Sequence, residues 1–83
     1  MPEGNSTYAP PKKRSVVIAG HQTSISLEPT FWRALEAAAR KRDCPLNALV
    51  AEIDVARLDA DRPPNLTSAI RQWLFARVTG WSG

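Results

Sequence analysis

The sequence predicts a mainly α-helical domain in which one β-strand precedes three helices, and three observations lead to that prediction. First, the segment TSISLE (23–28) alternates between two faces, as a half-buried strand does. Second, three later segments repeat apolar residues at spacings of three and four, which is typical of amphipathic helices. Third, prolines stand where those helices would begin or be interrupted.

The predicted strand turns Thr23, Ile25 and Leu27 towards a core and leaves the intervening residues outside. Before it, SVVIA (15–19) is β-branched and is interpreted as a strand or a strand extension. Gly20-His21-Gln22 is interpreted as a turn or bulge that leads into TSISLE.

The helices are predicted over 29–42, 45–58 and 65–78, and the loop DADRPP separates the last two because two prolines cannot continue a helix. Either Asn65 or Thr67 can cap the third helix. The strand and the apolar stripes of the first two helices give the expected core of a dimer: Ile25, Leu27, Phe31, Trp32, Leu35, Leu49, Val50 and Ile53.

Composition limits the class of protein. The chain has 83 residues, enough for one domain with a modest core, so a second subunit is a common source of stability at this size. A single cysteine, Cys44, excludes an internal disulfide and suits a reducing compartment. No apolar run approaches the roughly 20 residues of a membrane span, and the N-terminus does not look like a signal peptide. We therefore expect a cytoplasmic protein with no membrane contact.

Charge is unevenly distributed along the chain. The net charge is +3, and two basic triplets, 12–14 and 40–42, hold six of the 11 cations. The acids Glu52, Asp54, Asp59 and Asp61 gather in a later segment. Such clusters are usually a solvated face, but their asymmetry also suggests a polyanionic partner on one side of the molecule. Residues 1–14 are predicted to be a disordered basic arm, and residues 15–83 the folded domain.

A single strand would leave both rows of its backbone hydrogen-bonding groups unpaired, which folded proteins avoid. The simplest solution is a second copy of the chain. Two TSISLE segments would then form a two-stranded antiparallel ribbon between the chains, around a two-fold axis.

This layout, with SISLEP followed by FWRAL and then PLNALV, resembles the ribbon-helix-helix family of dimeric DNA-binding repressors. The resemblance extends from about Lys13 to Val78 and points to a bacterial branch with an extra C-terminal helix. The start of that helix, NLTSAIR, itself resembles the start of a family second helix, so an alternative register stays open.

The resemblance implies an intermolecular ribbon in the major groove of double-stranded DNA. The base-facing positions would be Gln22, Ser24, Ser26 and Glu28. Serine discriminates weakly between bases, and Glu28 is better explained by the start of the first helix. Phosphates would be bound by the start of the second helix and by the arm, through Pro45, Leu46, Asn47, Lys12, Lys13 and Arg14.

The expected function is therefore that of a homodimeric transcriptional regulator, with further association of dimers left open. The alternative is a protein-interaction module, antitoxin- or adaptor-like, that uses the third helix and Trp81. His21 and Cys44 lack neighbours at ligand or catalytic spacing, and no acid/base pair or phosphate loop is present. We expect neither an enzyme nor a cofactor or metal.

Overall fold

The computed structural model describes residues 8–79, the last two by their backbone alone. The elements are β1 (Lys12–Ile18), β2 (His21–Leu27), α1 (Pro29–Lys41), α2 (Leu46–Leu58) and α3 (Leu66–Thr79). Each helix begins and ends within one residue of its predicted bounds, which confirms the three-helix prediction. Residues 1–7 of the predicted arm and Trp81 lie outside the described residues. Within the described range, no helix is both long and apolar enough to cross a bilayer.

The predicted strand is not alone. β2 pairs antiparallel with β1 of the same chain, in a register that runs from Lys12 opposite Leu27 to Ile18 opposite His21. His21 and Gln22 therefore belong to β2, and the turn consists of Ala19 and Gly20. Both turn residues have positive φ, 51° and 80°, which matches the right-handed twist of a two-residue hairpin. The prediction of an unpaired strand is therefore wrong, because local alternation reveals a face but not a partner.

The basic triplet 12–14 begins β1, so the predicted disordered arm extends too far along the chain. These residues pair with the end of β2, and the backbone carbonyl of Lys12 accepts a 2.8 Å hydrogen bond from the indole N–H of Trp32. Cross-strand and side-chain hydrogen bonds thus order a segment whose composition alone favours solvent.

One chain builds the core from all five elements. Of the residues expected at the centre of a dimer, seven are buried within the single chain and Phe31 is half-buried against them. The hairpin, α1 and α3 add further buried residues to those of the dimer-core list: Val16, Ala38, Ala39, Ile70 and Leu74. Ile25 and Leu27 therefore do not require a second chain to leave water.

Local signals explain where the helices begin and end. Pro29 occupies the first turn of α1, where its missing N–H costs nothing. Asp43 adopts a positive φ of 55° just after α1, and the N–H of Cys44 then bonds to the carbonyl of Ala39 at 3.0 Å. At α3, the Asn65 side chain accepts the N–H of Ser68 at 2.8 Å, which makes Asn65 the cap.

Candidate nucleic-acid interface

The outer face of the hairpin collects the polar strand residues. Because side chains alternate, each strand directs three residues away from the core, and all six are exposed. They form three facing pairs, which we call the outer face: Lys13 with Ser26, Ser15 with Ser24, and Val17 with Gln22. The structure therefore brings Gln22, Ser24 and Ser26 together on one face. Sequence reasoning missed Ser15 and Val17, whose only signal was the β-branched run SVVIA.

The free edge of β2 carries unpaired backbone groups. Ile18 and His21 flank the two-residue turn and form a hydrogen-bonded pair. Along the rest of the hairpin, pairs without hydrogen bonds alternate with hydrogen-bonded ones, and the pair next to the turn, Val17 with Gln22, is without them. The N–H and C=O groups of Gln22, Ser24 and Ser26 consequently point away from β1. Within residues 8–79, no helix or side chain hydrogen-bonds to them. This edge can therefore accept another strand.

The outward edge of β1 is hydrogen-bonded to the start of α2. The backbone N–H of Val17 donates to Oδ1 of Asn47 at 3.2 Å. This bond sets the N-terminus of α2 beside the outer face, so the predicted phosphate residues Pro45, Leu46 and Asn47 lie close to the predicted base-facing ones.

The N-terminus of α2 has no side-chain cap. The carbonyl of Pro45 accepts the N–H groups of Ala48 and Leu49 at 3.1 and 3.2 Å. The N–H groups of Leu46 and Asn47 have no partner in the part of the chain that the structure describes. The Leu46 side chain packs against the core, so only its backbone N–H is available to bind an anion. Free donors at the positive end of a helix dipole suit an anionic oxygen.

Arg14 does not lie with Lys13 and instead shares a face of β1 with Lys12. It alternates with Lys13 and points to the core side, where its guanidinium carbon is 4.5 Å from the centre of the Trp32 ring. Its Nη1 donates to Glu36 at 2.9 Å. Arg14 thus joins β1 to α1, and its predicted position along the DNA backbone stays a prediction. Lys12 and Lys13 remain exposed.

Glu28, the remaining predicted base-facing residue, forms an ion pair with α3. It follows β2 as the residue before α1, and its two carboxylate oxygens accept bonds of 2.9 and 3.2 Å from Nη2 of Arg71. The hydrogen bond from Arg71, helped by the backbone N–H of Glu28 itself, holds the pKa of this carboxyl below its ordinary value. Glu28 therefore ties the strand–helix junction to α3. It occupies the cap position of α1, as the alternative interpretation held, although its side chain makes no capping bond.

The structure adds no sign of other chemistry at these positions. Over residues 8–79, no three His, Cys, Asp or Glu side chains come together as metal ligands would. Cys44 is half-buried against the core at the α1–α2 junction. The free N–H donors and exposed polar side chains described above are groups that can bind an extended anion.

Comparison with known proteins agrees with this arrangement. A family model described as a ribbon-helix-helix domain matches residues 11–78, from just before β1 to the last turn of α3. No curated protein and no solved structure matches the chain.

Proposed function

The chain belongs to the ribbon-helix-helix family, and we propose that it is a homodimeric DNA-binding protein that regulates transcription as a repressor. Members of this family generally dimerise, bind DNA and are not enzymes. The observation that carries the proposal is the Asn47–Val17 hydrogen bond. It joins an uncapped helix N-terminus, which suits a phosphate, to a polar strand face, which suits base edges.

In the proposed dimer, the free edges of the two β2 strands pair antiparallel across a two-fold axis. The unpaired groups of Gln22, Ser24 and Ser26 then gain partners, and the two hairpins form one four-stranded sheet. The predicted ribbon between chains becomes the central pair of that sheet, with β1 of each chain on the outside.

The dimensions of such a sheet agree with those of DNA. Strands about 4.8 Å apart would set the two outer strands roughly 14 Å from each other. The major groove is about 12 Å wide, so the central pair would lie over the base edges and each β1 over a rim. Lys13 and the N-terminus of α2 then face phosphates, with Lys12 exposed beside them at the start of β1. Among the central side chains, Gln22 can discriminate adenine, whereas serines discriminate weakly.

Phosphate binding can be tested by titration onto random duplex DNA at several salt concentrations. The variant Lys12→Ala/Lys13→Ala should bind all sequences more weakly, and its dependence on salt should be flatter by about 0.9 in log–log slope for each lost phosphate contact. Arg14 is left in place because it supports the fold.

The matched control is Arg33→Ala/Arg62→Ala, which removes two exposed cations that lie outside the hairpin. It should bind nearly as the unmodified protein does. If the unmodified protein shows no salt-sensitive binding, or if both double variants lose affinity equally, the proposed DNA contact is wrong.

Strand pairing between chains can be tested with proline. Ser24→Pro removes an N–H from the free edge of β2 and should leave a folded monomer, because that N–H does not pair with β1. Ser15→Pro makes the same change directly opposite, on the outward edge of β1, and should remain dimeric. Sedimentation velocity with circular dichroism distinguishes the two. Dimerisation of Ser24→Pro at unchanged affinity would exclude this interface.

The alternative function, a protein-interaction module on the same scaffold, is favoured by one observation. The outer face carries a single charge per chain, that of Lys13, and a DNA-binding face commonly carries more positive charge. A dimer that binds no duplex at low salt would support this alternative, with α3 as a candidate partner surface.

A further inference from the structure

A groove lies between α1 and α3, away from the proposed DNA contacts. It encloses about 320 Å³ and is lined by Ala34, Ala37, Ala38, Lys41, Leu74 and Arg77. Trp32 meets β1 near the start of α1, and Lys41 follows about 13 Å further along the helix axis. The groove is therefore near the end of α1 that is remote from the hairpin.

The rim of this groove carries uncompensated positive charge. Every ion pair within residues 8–79 uses other cations: Arg14, Arg42, Arg57 and Arg71. Lys41 and Arg77 belong to none of them, and the Arg77 guanidinium carbon is 4.8 Å from the centre of the Trp73 ring. Alanines and Leu74 form an apolar floor beneath these cations. An occupant should therefore combine aliphatic side chains with carboxylates.

The end of α2 has that combination. Val55 and Leu58 are 69% and 58% exposed, and their spacing of three residues puts them side by side on one helix face as a small apolar patch. Asp59 follows Val55 by four residues and so lies on the same helix face, and Asp61 comes just after it. Neither acid has an ion-pair partner among the described residues. We call Val55, Leu58, Asp59 and Asp61 the acidic ridge.

We infer that the acidic ridge of one copy docks into the α1–α3 groove of another. The complementary charges and the matching apolar surfaces support a second copy as the occupant, and the groove is at the lower end of the size range of small-molecule pockets. Because the two surfaces differ, the contact is heterologous and joins copies in a closed ring or an open series. It would connect neighbouring dimers, independently of the β2 edge that forms each dimer.

Reciprocal charge reversal tests this contact. Lys41→Glu/Arg77→Glu makes the groove acidic, and Asp59→Lys/Asp61→Lys makes the ridge basic. Sedimentation velocity at low salt should show species larger than the dimer for the unmodified protein, growing with concentration. The association of each variant alone should be weaker by at least about tenfold, because like charges then face each other. An equal mixture of the two should associate again, because each altered surface then meets its complement.

The matched control, Arg33→Glu/Arg62→Glu, changes the net charge as much as the groove variant does and should associate normally. Circular dichroism confirms that each variant is folded. The inference is overturned if the unmodified protein forms nothing larger than a dimer, if the mixture fails to regain association, or if only the ridge variant is affected. The last outcome would indicate that two α2 faces pack on each other. If the smallest species is a monomer, the result argues against β2 pairing between chains. The groove–ridge contact is then tested by whether the mixture of the two variants associates.

Discussion

Oδ1 of Asn47 accepts the backbone N–H of Val17 at 3.2 Å, and this bond joins the start of α2 to the edge of the hairpin across 30 residues of chain. It satisfies a strand-edge donor that would otherwise face solvent. It also holds two free N–H donors of α2 next to the outer face. A single amide side chain thereby sets the distance between the proposed base-facing and phosphate-facing groups.

Replacement of Asn47 should separate its structural and binding roles. Asn47→Ala loses the bond to Val17, and its free energy of unfolding in urea should fall by about 0.5–1 kcal/mol, since the site is exposed. Asn47→Asp keeps an acceptor and places a negative charge at a helix N-terminus, so its stability should stay near that of the unmodified protein. Both variants should bind DNA more weakly, the second through repulsion of phosphate. An Asp variant as unstable as the Ala variant would argue against the Val17 bond.

The Glu28–Arg71 pair should make stability depend on pH. Because the folded protein lowers the pKa of Glu28, the unfolded chain takes up this proton at a higher pH than the folded one. The pair's contribution is therefore fully present above the ordinary glutamate pKa of about 4.3, and it is lost as pH falls through the lower folded value. Urea unfolding across this range should show Glu28→Gln less stable at neutral pH and equal to the unmodified protein in acid.

Arg71→Gln provides the reciprocal check for this pair. It should reduce the pH dependence by a similar amount, and the double variant should add little to either single change. A difference between Glu28→Gln and the unmodified protein that stays constant down to strongly acidic pH would show that the carboxylate charge is not involved.

Substitutions at the two adjacent residues of the hairpin turn should change the stability of the fold in opposite directions. Gly20 has a φ of 80° with open space around it, so Gly20→Ala should destabilise the fold by about 1 kcal/mol through backbone strain alone. Ala19 has a φ of 51°, which asparagine tolerates better than alanine, so Ala19→Asn should stabilise the fold by about 0.5 kcal/mol. Thermal unfolding measures both. Equal midpoints for the two variants would contradict the left-handed turn.

The indole N–H of Trp32 should contribute to the stability of the fold in addition to the packing of its ring. Trp32 is 3% exposed, and its N–H donates to the carbonyl of Lys12 at 2.8 Å, so Trp32→Phe leaves that carbonyl without the bond. We expect a loss of about 1–3 kcal/mol in the free energy of unfolding. Trp73→Phe is the control, because within the described residues the Trp73 ring is contacted by arginines and donates no hydrogen bond. Equal losses in the two variants would rule out a specific role for the Lys12 bond.

The candidate site was predictable in part. Alternation along TSISLE identified Ser24 and Ser26 as outward residues, and the proline at position 45 located the start of α2. The ion pairs of Arg14 and Glu28 were not predictable, because their partners, Glu36 and Arg71, are 22 and 43 residues away in the chain. No local pattern encodes which of several cations or carboxylates a folded chain will bring together.

By itself, the sequence determined the three helices, their bounds and the buried face of β2, because proline geometry and side-chain spacing act within a few residues. Only the tertiary structure decided that β2 pairs with β1, that Lys12–Arg14 are part of a strand, and that one edge of the hairpin is held by Asn47 while the other stays open. Strand pairing and ion pairs join distant parts of the chain, so their outcome depends on how the whole core packs.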